Sequence, residues 1–202
     1  GASTQMKPFY PFYNEDGTYN TSSATYNPLA VWDEKLGDMS RVWNQTININ
    51  PYVQLDFGYG IYAKSTLGVN ISNQREYQYW GAIYNAQGVS YNGLGQQYNT
   101  NNHVITWNNV LGWNYTFGEK HDVSVLVGQE MQHKMSGYEY LSGNDFPFAT
   151  SGMRDLSTVG TWGDSEYYES EAKLASYFLD AHYSFNDRLY ISGSFRRDGS
   201  SV

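Results

Sequence analysis

The side chains best suited to chemistry in this sequence are Asp180 and His182, two residues apart in a segment of alternating polarity. A carboxylate beside an imidazole is the pattern of an acid-base pair or of two metal ligands. Residues at positions i and i+2 of a strand share one face at a separation of about 7 Å. Because no third group is identifiable near this pair, we interpret it as polar lining rather than as a catalytic or metal site.

Two other patterns also favour structural interpretations. The run Gly-Tyr-Gly-Ile at 58–61 resembles a dinucleotide fingerprint, but that motif requires a helix where a strand pattern follows here. We interpret its glycines as a tight turn. The acidic residues at 137–171 carry oxygen ligands of the kind calcium prefers, yet their spacing matches no defined calcium loop. We therefore predict no enzyme, no metal and no cofactor.

Composition points to a β-rich chain with many surface aromatics. Aromatic residues make up 17% of the 202 residues and charged residues 16%, against about 25% charged in soluble domains. Amphipathic rings suit membrane interfaces and sugar-binding surfaces equally. No apolar run of about 18 residues is present, which excludes a transmembrane helix. The net charge of −8, without a basic stripe, excludes nucleic acid as a partner.

Period-2 hydrophobicity predicts an antiparallel meander of about six strands. The clearest segments are Ile61 to Ser72 and His103 to Phe117, in which apolar and polar side chains alternate. The predicted strands are 41–55, 61–72, 103–117, a segment beginning at 121, 175–185 and 189–197. Six strands leave open edges that hydrocarbon does not tolerate, so we expect them to be part of a larger transmembrane β-barrel.

The connections between the predicted strands alternate between short and long. Tight turns are predicted at 56–60, 118–120 and 186–188, and long polar loops at 73–102 and 137–171. Outer-membrane barrels have short periplasmic turns and long extracellular loops. We accordingly divide the chain into an extracellular loop region, 1–40, and a partial barrel, 41–202. One short helix is predicted in the loop region, opened by Asn27 and Pro28 and closed by Gly37.

The pleat assigns roles to the side chains of these strands. Aromatic residues next to the short turns are expected to form a girdle at the inner membrane boundary, because their rings prefer headgroup depth. This predicted girdle comprises Trp113, Tyr115, Phe117, Tyr183 and Phe185. Charges facing lipid cost about 2–4 kcal/mol at mid-depth, so charged and polar side chains are expected to face the lumen. The predicted lumen set is Lys64, Glu130, Asp180, His182 and Arg196.

Several short tracts resemble the SusC/RagA family of TonB-linked outer-membrane proteins. They are Ser-Tyr-Phe at 176–178, Asn-Asp-Arg-Leu-Tyr at 186–190, Arg-Arg-Asp-Gly-Ser-Ser at 196–201 and, upstream, Tyr-Pro-Phe-Tyr-Asn at 10–14 with Asp-Gly-Thr at 16–18 and Asn-Pro-Leu-Ala at 27–30. One departure is Leu179, where the family often has Gly. The family's plug domain, TonB box and signal sequence have no counterpart in this sequence.

The resemblance implies a 22-stranded, plugged barrel of the Bacteroidota outer membrane that imports glycans or peptides. It implies as partners a SusD-like surface lipoprotein, the TonB complex through parts absent here, membrane lipid, and an oligosaccharide or peptide substrate. The lumen set would then contact the plug. Aromatics in the two predicted long loops become candidates for contact with substrate or lid: Tyr77, Tyr79, Trp80, Tyr84, Tyr91, Trp162, Tyr167 and Tyr168.

Three alternative functions and one alternative role for the loop aromatics remain open. The chain could be a soluble, secreted carbohydrate-binding β-sandwich with the same aromatics on a binding face. It could be a hydrolase, although it has no nucleophile-base constellation. It could also be a barrel of the same family used in adhesion or secretion. The loop aromatics could simply pack on one another.

Overall fold

The computed structural model of the chain describes residues 10–20, 27–33, 35–148 and 154–201, most of which are extended. The two short helices are α1 (Pro28–Val31) and α2 (Ala86–Ser90). The strands are β1 (Met39–Ile49), β2 (Tyr52–Gly58), β3 (Ile61–Trp80), β4 (Leu94–Phe117), β5 (His121–Asn144), β6 (Thr161–Phe185) and β7 (Leu189–Ser201). Within the ranges just given, neither helix has the length and apolar character needed to cross a membrane.

The strands form one sheet in the order β1-β3-β4-β5-β6-β7, with β2 paired to β3. Neighbours in the sheet are neighbours in sequence apart from the position of β2, as in a meander. The predicted all-β antiparallel architecture is therefore confirmed, and the sheet of the described residues is not closed. Open edges of this kind require further strands if the sheet lies in hydrocarbon.

The first predicted strand, 41–55, is in fact two strands separated at Asn50 and Pro51. Proline has no backbone N–H to donate to a ladder. The carbonyl of Pro51 still accepts a hydrogen bond from the backbone N–H of Leu67 at 3.0 Å, so the chain stays beside β3. The described residues consequently form seven strands, where the pattern predicted about six.

Most of the two predicted long loops is strand, so their predicted bounds were wrong. Strand β3 continues to Trp80 and β4 begins at Leu94, which leaves 81–93 as the connection instead of 73–102. Likewise, 145–160 connects β5 to β6 instead of 137–171. These strand ends were missed because neither of their faces is uniformly apolar, and polar alternation gives no periodic signal.

The helix of the N-terminal region begins where the sequence predicts and ends earlier. The Asn27 side chain accepts hydrogen bonds from the backbone N–H groups of Leu29 and Ala30, which caps α1. Helix α1 ends at Val31, not near Gly37. In the rest of the predicted loop region, Tyr13 and Tyr19 form an isolated antiparallel β-bridge. Residues 1–9 and 21–26 lie outside the described residues.

All three predicted tight turns are present. They join β2 to β3, β4 to β5 and β6 to β7 at 59–60, 118–120 and 186–188. Their backbones are left-handed at Tyr59 and Glu119, at Asn186 and Asp187, and at the glycines at positions 58, 60 and 118. Glycine and asparagine adopt this conformation at the lowest cost, which explains the Gly and Asn signals of the sequence.

The chain divides into two compact units, each described separately here. The loop unit comprises Gly1–Asn44, Gln74–Thr100 and Tyr138–Tyr168, and the strand unit comprises Gln45–Asn73, Asn101–Gly137 and Glu169–Val202. The loop unit has a small buried core made by Tyr77, Tyr79, Phe146 and Leu156. Met39, Ala82 and Val159 pack against it.

The strand unit has one apolar face that is open to its surroundings. In β4 the large apolar side chains are 40–53% exposed, and they occupy odd-numbered positions: Ile105, Trp107, Leu111, Tyr115 and Phe117. Ile61 and Leu67 of β3 are 40% and 42% exposed at positions of the same parity. None of these seven side chains packs in a protein core within the described residues, as a lipid-facing surface requires.

Candidate functional site

The opposite, polar face of the strand unit is organised around Arg196 of β7. Its guanidinium contacts Glu130 Oε1 at 3.2 Å and Asp198 Oδ1 at 2.8 Å. It also donates to Ser176 Oγ at 3.0 Å, and Ser176 Oγ donates to Asp198. The register places Arg196 directly opposite Phe178, whose ring lies 6.0 Å from the guanidinium carbon. The structure thus brings Glu130 and Arg196, two members of the predicted lumen set, into one ion-paired network.

The other three members of the lumen set lie elsewhere in the strand unit. The Lys64 ammonium is 4.4 Å from the centroid of the Tyr52 ring. Asp180 and His182 stand opposite Ser194 and Ser192, two positions apart on β6 as expected. Within the part of the chain that the structure describes, no three His, Asp or Glu side chains converge as a metal site would require.

A cavity of about 540 Å³ lies near the turns of the strand unit, with His182 in its lining. Its central carboxylate is Asp122, which accepts hydrogen bonds from Thr116 Oγ1 at 2.6 Å and Ser184 Oγ at 3.3 Å. These partners satisfy the carboxylate and belong to the even-numbered face. Of the predicted pair, His182 lines this cavity and Asp180 does not.

The predicted girdle aromatics cluster next to the short turns. The rings of Trp113 and Tyr115 are 6.1 Å apart, and those of Tyr115 and Phe117 are 4.7 Å apart. Trp113 donates its indole N–H to the carbonyl of Tyr59 in the adjacent turn at 3.2 Å. The last two girdle residues, Tyr183 and Phe185, both contact the ring of His121. Their position at a membrane boundary stays a prediction.

Two of the predicted substrate or lid contacts are buried, so their assignment as surface contacts was wrong. Tyr79 is 2% exposed and packs edge-to-face on Phe146, with the ring centroids 5.0 Å apart. Tyr77 is 9% exposed and donates its hydroxyl to the carbonyl of Arg154. Phe146 and Leu156 of the connection between β5 and β6 pack with both rings in one buried core, which is the alternative of self-packing loops. The sequence alone could not predict which segment covers these two rings.

The remaining loop aromatics lie closer to the surface. Tyr84 packs edge-on against Tyr19, with the ring centroids 5.1 Å apart. Trp80 is half-buried. Four side chains are 49–66% exposed: Tyr91, Trp162, Tyr167 and Tyr168. Their contact with a substrate or lid stays a prediction.

Polar contacts hold the connections of the loop unit together. The carboxylate of Asp38 accepts hydrogen bonds from the Gly81 backbone N–H at 2.8 Å and from Asn85 Nδ2 at 2.6 Å. Burial raises the pKa of Asp38 above its ordinary value. The buried guanidinium of Arg154 donates to the Lys35 carbonyl at 3.1 Å and lies 5.5 Å from the Tyr79 centroid. These contacts join three segments distant in sequence and leave no periodic signal.

Sequence reasoning also missed a group of side chains on β4 and β5 of the loop unit. The ring of Tyr98 lies 4.9 Å from that of Tyr140 and 6.5 Å from that of Tyr138. Gln96 Nε2 donates to the Tyr140 hydroxyl at 2.8 Å, and the Tyr98 hydroxyl donates to Gln96 Oε1 at 3.0 Å. We call these four residues the tyrosine cluster. The sequence signal for this cluster was the Tyr-Glu-Tyr spacing at 138–140, which by itself indicates only the alternation of a strand.

The chain is similar along its length to three TonB-dependent receptors of Formosa agariphila. It is 26% identical to receptor P3 over 201 residues, 29% to P39 over 198 residues and 25% to P26 over 216 residues. The matches cover 98%, 92% and 100% of this chain but only 20%, 18% and 21% of the relatives. The chain thus spans about a fifth of the length of these relatives. No family model matches it.

Solved structures show the same fold. The chain aligns with a structure of the RagAB peptide transporter at a TM-score of 0.74 and 21% identity, covering 95% of this chain and 22% of the other. A 'closed-closed' state of the RagAB peptide importer gives a TM-score of 0.74 at 20% identity, covering 96% and 22%. The chain therefore has the fold of part of a TonB-dependent β-barrel protein, with a sheet that is not closed in the described residues.

The predicted resemblance is confirmed: the chain is similar along its length to TonB-dependent receptors, and it shares the fold of the RagAB structures. The names of its relatives are those of receptors and transporters, and they imply an outer-membrane location.

Proposed function

We propose that this chain forms part of the wall of a TonB-dependent outer-membrane importer for glycans or peptides. The observation that carries the proposal is the division of the strand unit into two faces. Large apolar side chains on one face are open, while the ion-paired network of Arg196 lies on the other. A wall between hydrocarbon and a wet lumen requires this alternation.

The free energy of burying apolar surface, as well as the alternation of side chains, favours contact of the apolar face with lipid. Transfer of apolar surface from water is worth about 25 cal/mol per Å². Side chains such as Leu111, at 53% exposure, and Val127, at 51%, recover that free energy only when something apolar covers them. Acyl chains supply such a cover along a whole sheet face without a specific partner. A protein core would instead require a matching second layer.

The short turns give the wall its orientation. We assign the turns at 59–60, 118–120 and 186–188 to the periplasmic side, and the longer connections 81–93 and 145–160 to the cell exterior. The girdle aromatics lie next to these turns, where the inner membrane boundary is expected. Phe146 and Leu156 of the second connection belong to the buried core of the loop unit, and Ala82 of the first connection packs against that core.

The polar face is assigned to the contact with a plug. Its charged side chains have both signs, with Arg196 between Glu130 and Asp198 and Lys64 over Tyr52. A mixed face of this kind is complementary to a polar, folded domain rather than to lipid. We assign plug contacts to Lys64, Glu130, Asp180, His182 and Arg196.

A SusD-like surface lipoprotein is the proposed partner at the outer mouth. Exposed aromatic side chains of the loop unit supply the kind of surface on which a protein lid docks. Trp162 and Tyr168 are 60% and 63% exposed, and Trp32 on the turn after α1 is 85% exposed. Aromatic side chains are enriched at protein–protein interfaces, and these three are available to a partner.

The test uses the intact receptor in its native host. Fractionation is expected to place it in the outer membrane, and extraction to require detergent. Uptake of its substrate is expected to stop when the proton gradient is collapsed or TonB is deleted. A receptor that stays monodisperse in plain buffer would instead support the secreted β-sandwich. An outer-membrane receptor whose deletion leaves all uptake unchanged would support adhesion or secretion.

The partner is tested separately by affinity purification of the tagged receptor. A surface lipoprotein is expected to copurify at one to one, and Trp32→Ser together with Trp162→Ser is expected to weaken that association. If no lipoprotein copurifies with the receptor, the proposed lid partner is contradicted and the importer proposal still stands.

A further inference from the structure

The tract Arg-Arg-Asp-Gly-Ser-Ser at 196–201 is divided between the two faces of the strand unit. Arg196 and Asp198 belong to the ion-paired network of the polar face. Strand β7 pairs with β6 in an unbroken register, and side chains alternate along a strand, so Arg197 and Gly199 lie on the opposite face. The proposed wall gives a role to the first two of these residues and none to the other two.

The faces keep the same parity across β4, β5, β6 and β7. Asn108 Nδ2 and Arg196 Nη2 both donate to the Glu130 carboxylate, so even-numbered side chains meet on the polar face. On the other face, His133 Nε2 of β5 lies 2.6 Å from Glu171 Oε1 of β6. The odd-numbered residues of β7 therefore share the face that carries the open apolar side chains of β4.

A mostly apolar groove of about 560 Å³ lies on this face, towards the ends of the strands that are far from the short turns. Its lining includes three apolar side chains that are 40–48% exposed, Ile105, Trp107 and Met131. Ala175 and Gly199 also line it and stand opposite each other in the register. A Cβ on Gly199 would have the Ala175 carbonyl oxygen at 3.8 Å as its nearest neighbour. We call this lining the outer groove.

The register places cations on both sides of the pair formed by Ala175 and Gly199. Lys173 lines the outer groove on one side, and Arg197 stands opposite Tyr177 on the other side. Each cation is two residues along its strand from the small residue, a distance of about 7 Å. Both long side chains can therefore reach one group that lies between them.

The charges around the outer groove are mixed, with an excess of cations at the groove itself. Glu171 Oε1 lies 2.7 Å from Lys173 Nζ and 2.6 Å from His133 Nε2, which leaves Lys173 two ammonium N–H donors. Arg197 forms no ion pair with any described residue. Glu169 lies two residues beyond Glu171. The other Asp, Glu, Lys, Arg or His residues at odd-numbered strand positions of the unit are His103 and, next to the short turns, His121.

The length of the apolar row on β6 gives the depth of the outer groove. Odd-numbered positions from Phe185, at the turn, to Ala175 hold no Asp, Glu, Lys, Arg or His over about 11 residues, and 9–11 tilted residues cross the hydrocarbon. Lys173 is the next residue of this row. The groove therefore lies where hydrocarbon meets headgroups, in the leaflet that the proposed orientation assigns to the cell exterior.

We infer that the outer groove binds a lipid of the outer leaflet whose sugar headgroup carries phosphate. Glycolipids of this kind make up the outer leaflet of bacterial outer membranes. An acyl chain covers the apolar lining, and the phosphate lies between Lys173 and Arg197. A guanidinium beside hydrocarbon requires an anion, and phosphate matches its fork of donors. The inference rests on the proposed outer-membrane wall and adds a specific lipid site to it.

The test measures lipid binding to the intact receptor, in a neutral maltoside detergent, by native mass spectrometry. The probes are lipid A with two phosphates, the same lipid after removal of both phosphates, phosphatidylglycerol and inorganic phosphate. Phosphorylated lipid A is expected to bind at least about tenfold more tightly than the other two lipids, equivalent to 1.4 kcal/mol. Millimolar inorganic phosphate is expected to leave it bound, because the acyl chains supply part of the affinity.

Variants locate the phosphate. Arg197→Gln is expected to weaken binding of phosphorylated lipid A about tenfold or more, and Lys173→Gln about threefold to tenfold, because Glu171 already shares the charge of Lys173. Arg197→Lys keeps the charge and is expected to recover most of the lost affinity. Lys134→Gln removes a cation from the opposite face of β5 and is the matched control, with binding unchanged. Dephosphorylated lipid A is expected to bind the wild type and Arg197→Gln equally, which checks that the variant folds.

The outcomes separate this inference from the proposed wall. Equal binding of the two forms of lipid A, tighter binding of phosphatidylglycerol, or displacement by inorganic phosphate overturns the inference. Equal affinities of the wild type and Arg197→Gln, or equal weakening by Arg197→Gln and Lys134→Gln, also overturn it. The wall still stands after any of these results when extraction of the receptor requires detergent. A receptor that needs no detergent overturns the wall and this inference together.

Discussion

At the scale of single residues, two glycines of the polar face each lie beneath an aromatic ring of the neighbouring strand. A Cβ on Gly112 would lie 2.2 Å from the Tyr62 ring, and a Cβ on Gly128 would lie 2.0 Å from the Phe178 ring. Glycine at these two positions therefore leaves the room that the neighbouring aromatic rings occupy. The ring of Phe178 also contacts the Arg196 guanidinium, so Gly128 indirectly positions the ion-paired network.

Substitution of either glycine is expected to be costly. Gly112→Ala and Gly128→Ala force the overlying ring out of place and are expected to lower the free energy of unfolding by about 1–3 kcal/mol, as for overpacking. Gly193→Ala is the matched control, because its added Cβ would meet nothing within 4 Å. Denaturant unfolding of the intact receptor in vesicles measures all three. Equal stability of Gly128→Ala and Gly193→Ala would refute the packing argument.

At the scale of elements, the tight turns and the loop core determine where the strands stop. The turn at 186–188 has left-handed backbones at Asn186 and Asp187 and a hydrogen bond from the Arg188 N–H to the Phe185 carbonyl at 3.0 Å. This is type I′ geometry, which favours Asn followed by Gly. The core of the loop unit determines how the connections fold. This packing explains why the strands extend beyond their predicted ends.

The turn geometry predicts opposite effects for two substitutions of Asp187. Asp187→Gly removes the cost of a positive φ and is expected to stabilise the hairpin by up to about 1 kcal/mol. Asp187→Val places a β-branched side chain in the left-handed region and is expected to destabilise it by about 1–2 kcal/mol. Denaturant titration of the variants folded into vesicles measures the order of their stabilities. A valine variant as stable as the glycine variant would contradict the turn assignment.

The loop core is tested at Phe146, which is 1% exposed and contacts Tyr79. Phe146→Ala is expected to cost about 3–5 kcal/mol of local stability, since it empties a buried aromatic site. Hydrogen exchange at 81–93, 145–148 and 154–160 should accelerate, while exchange in the strand unit stays unchanged. Phe148→Ala, with the original ring 53% exposed, is the control. Unchanged exchange in the Phe146 variant would show that the core does not hold the connections.

At the scale of the whole molecule, the proposal depends on which medium contacts each face of the strand unit. Odd-numbered apolar residues such as Leu111 are assigned to lipid, and even-numbered polar residues such as Asn108 to the lumen. Asn108 already donates to Glu130 Oε2 at 3.3 Å, so a cation at position 108 would have a partner. A cation at position 111 would have hydrocarbon around it.

A lysine scan across the pleat tests this assignment. Leu111→Lys is expected to destabilise the folded receptor in vesicles by about 2–4 kcal/mol, the cost of a cation on a lipid face near mid-depth. Asn108→Lys, three residues away on the other face, is expected to change stability by less than about 1 kcal/mol. Outer-membrane abundance should follow the same order. Equal tolerance of both lysines would remove the lipid-facing assignment.

The sequence by itself determined the class of fold, the hydrophobic alternation of the membrane-type strands and the three tight turns. These features depend on local rules: a side-chain period of two, and the left-handed backbones that Gly and Asn accept at low cost. The break at Pro51 obeys a local rule as well, and the strand count of about six missed it.

Only the tertiary structure decided the true lengths of the strands and the burial of Tyr77 and Tyr79. It also revealed the Arg154 contacts and the tyrosine cluster. Each of these depends on segments far apart in sequence, such as Phe146 over Tyr79 and Gln96 beside Tyr140. Pairing between polar strands needs no apolar face, so it leaves no periodic trace that a single sequence can show.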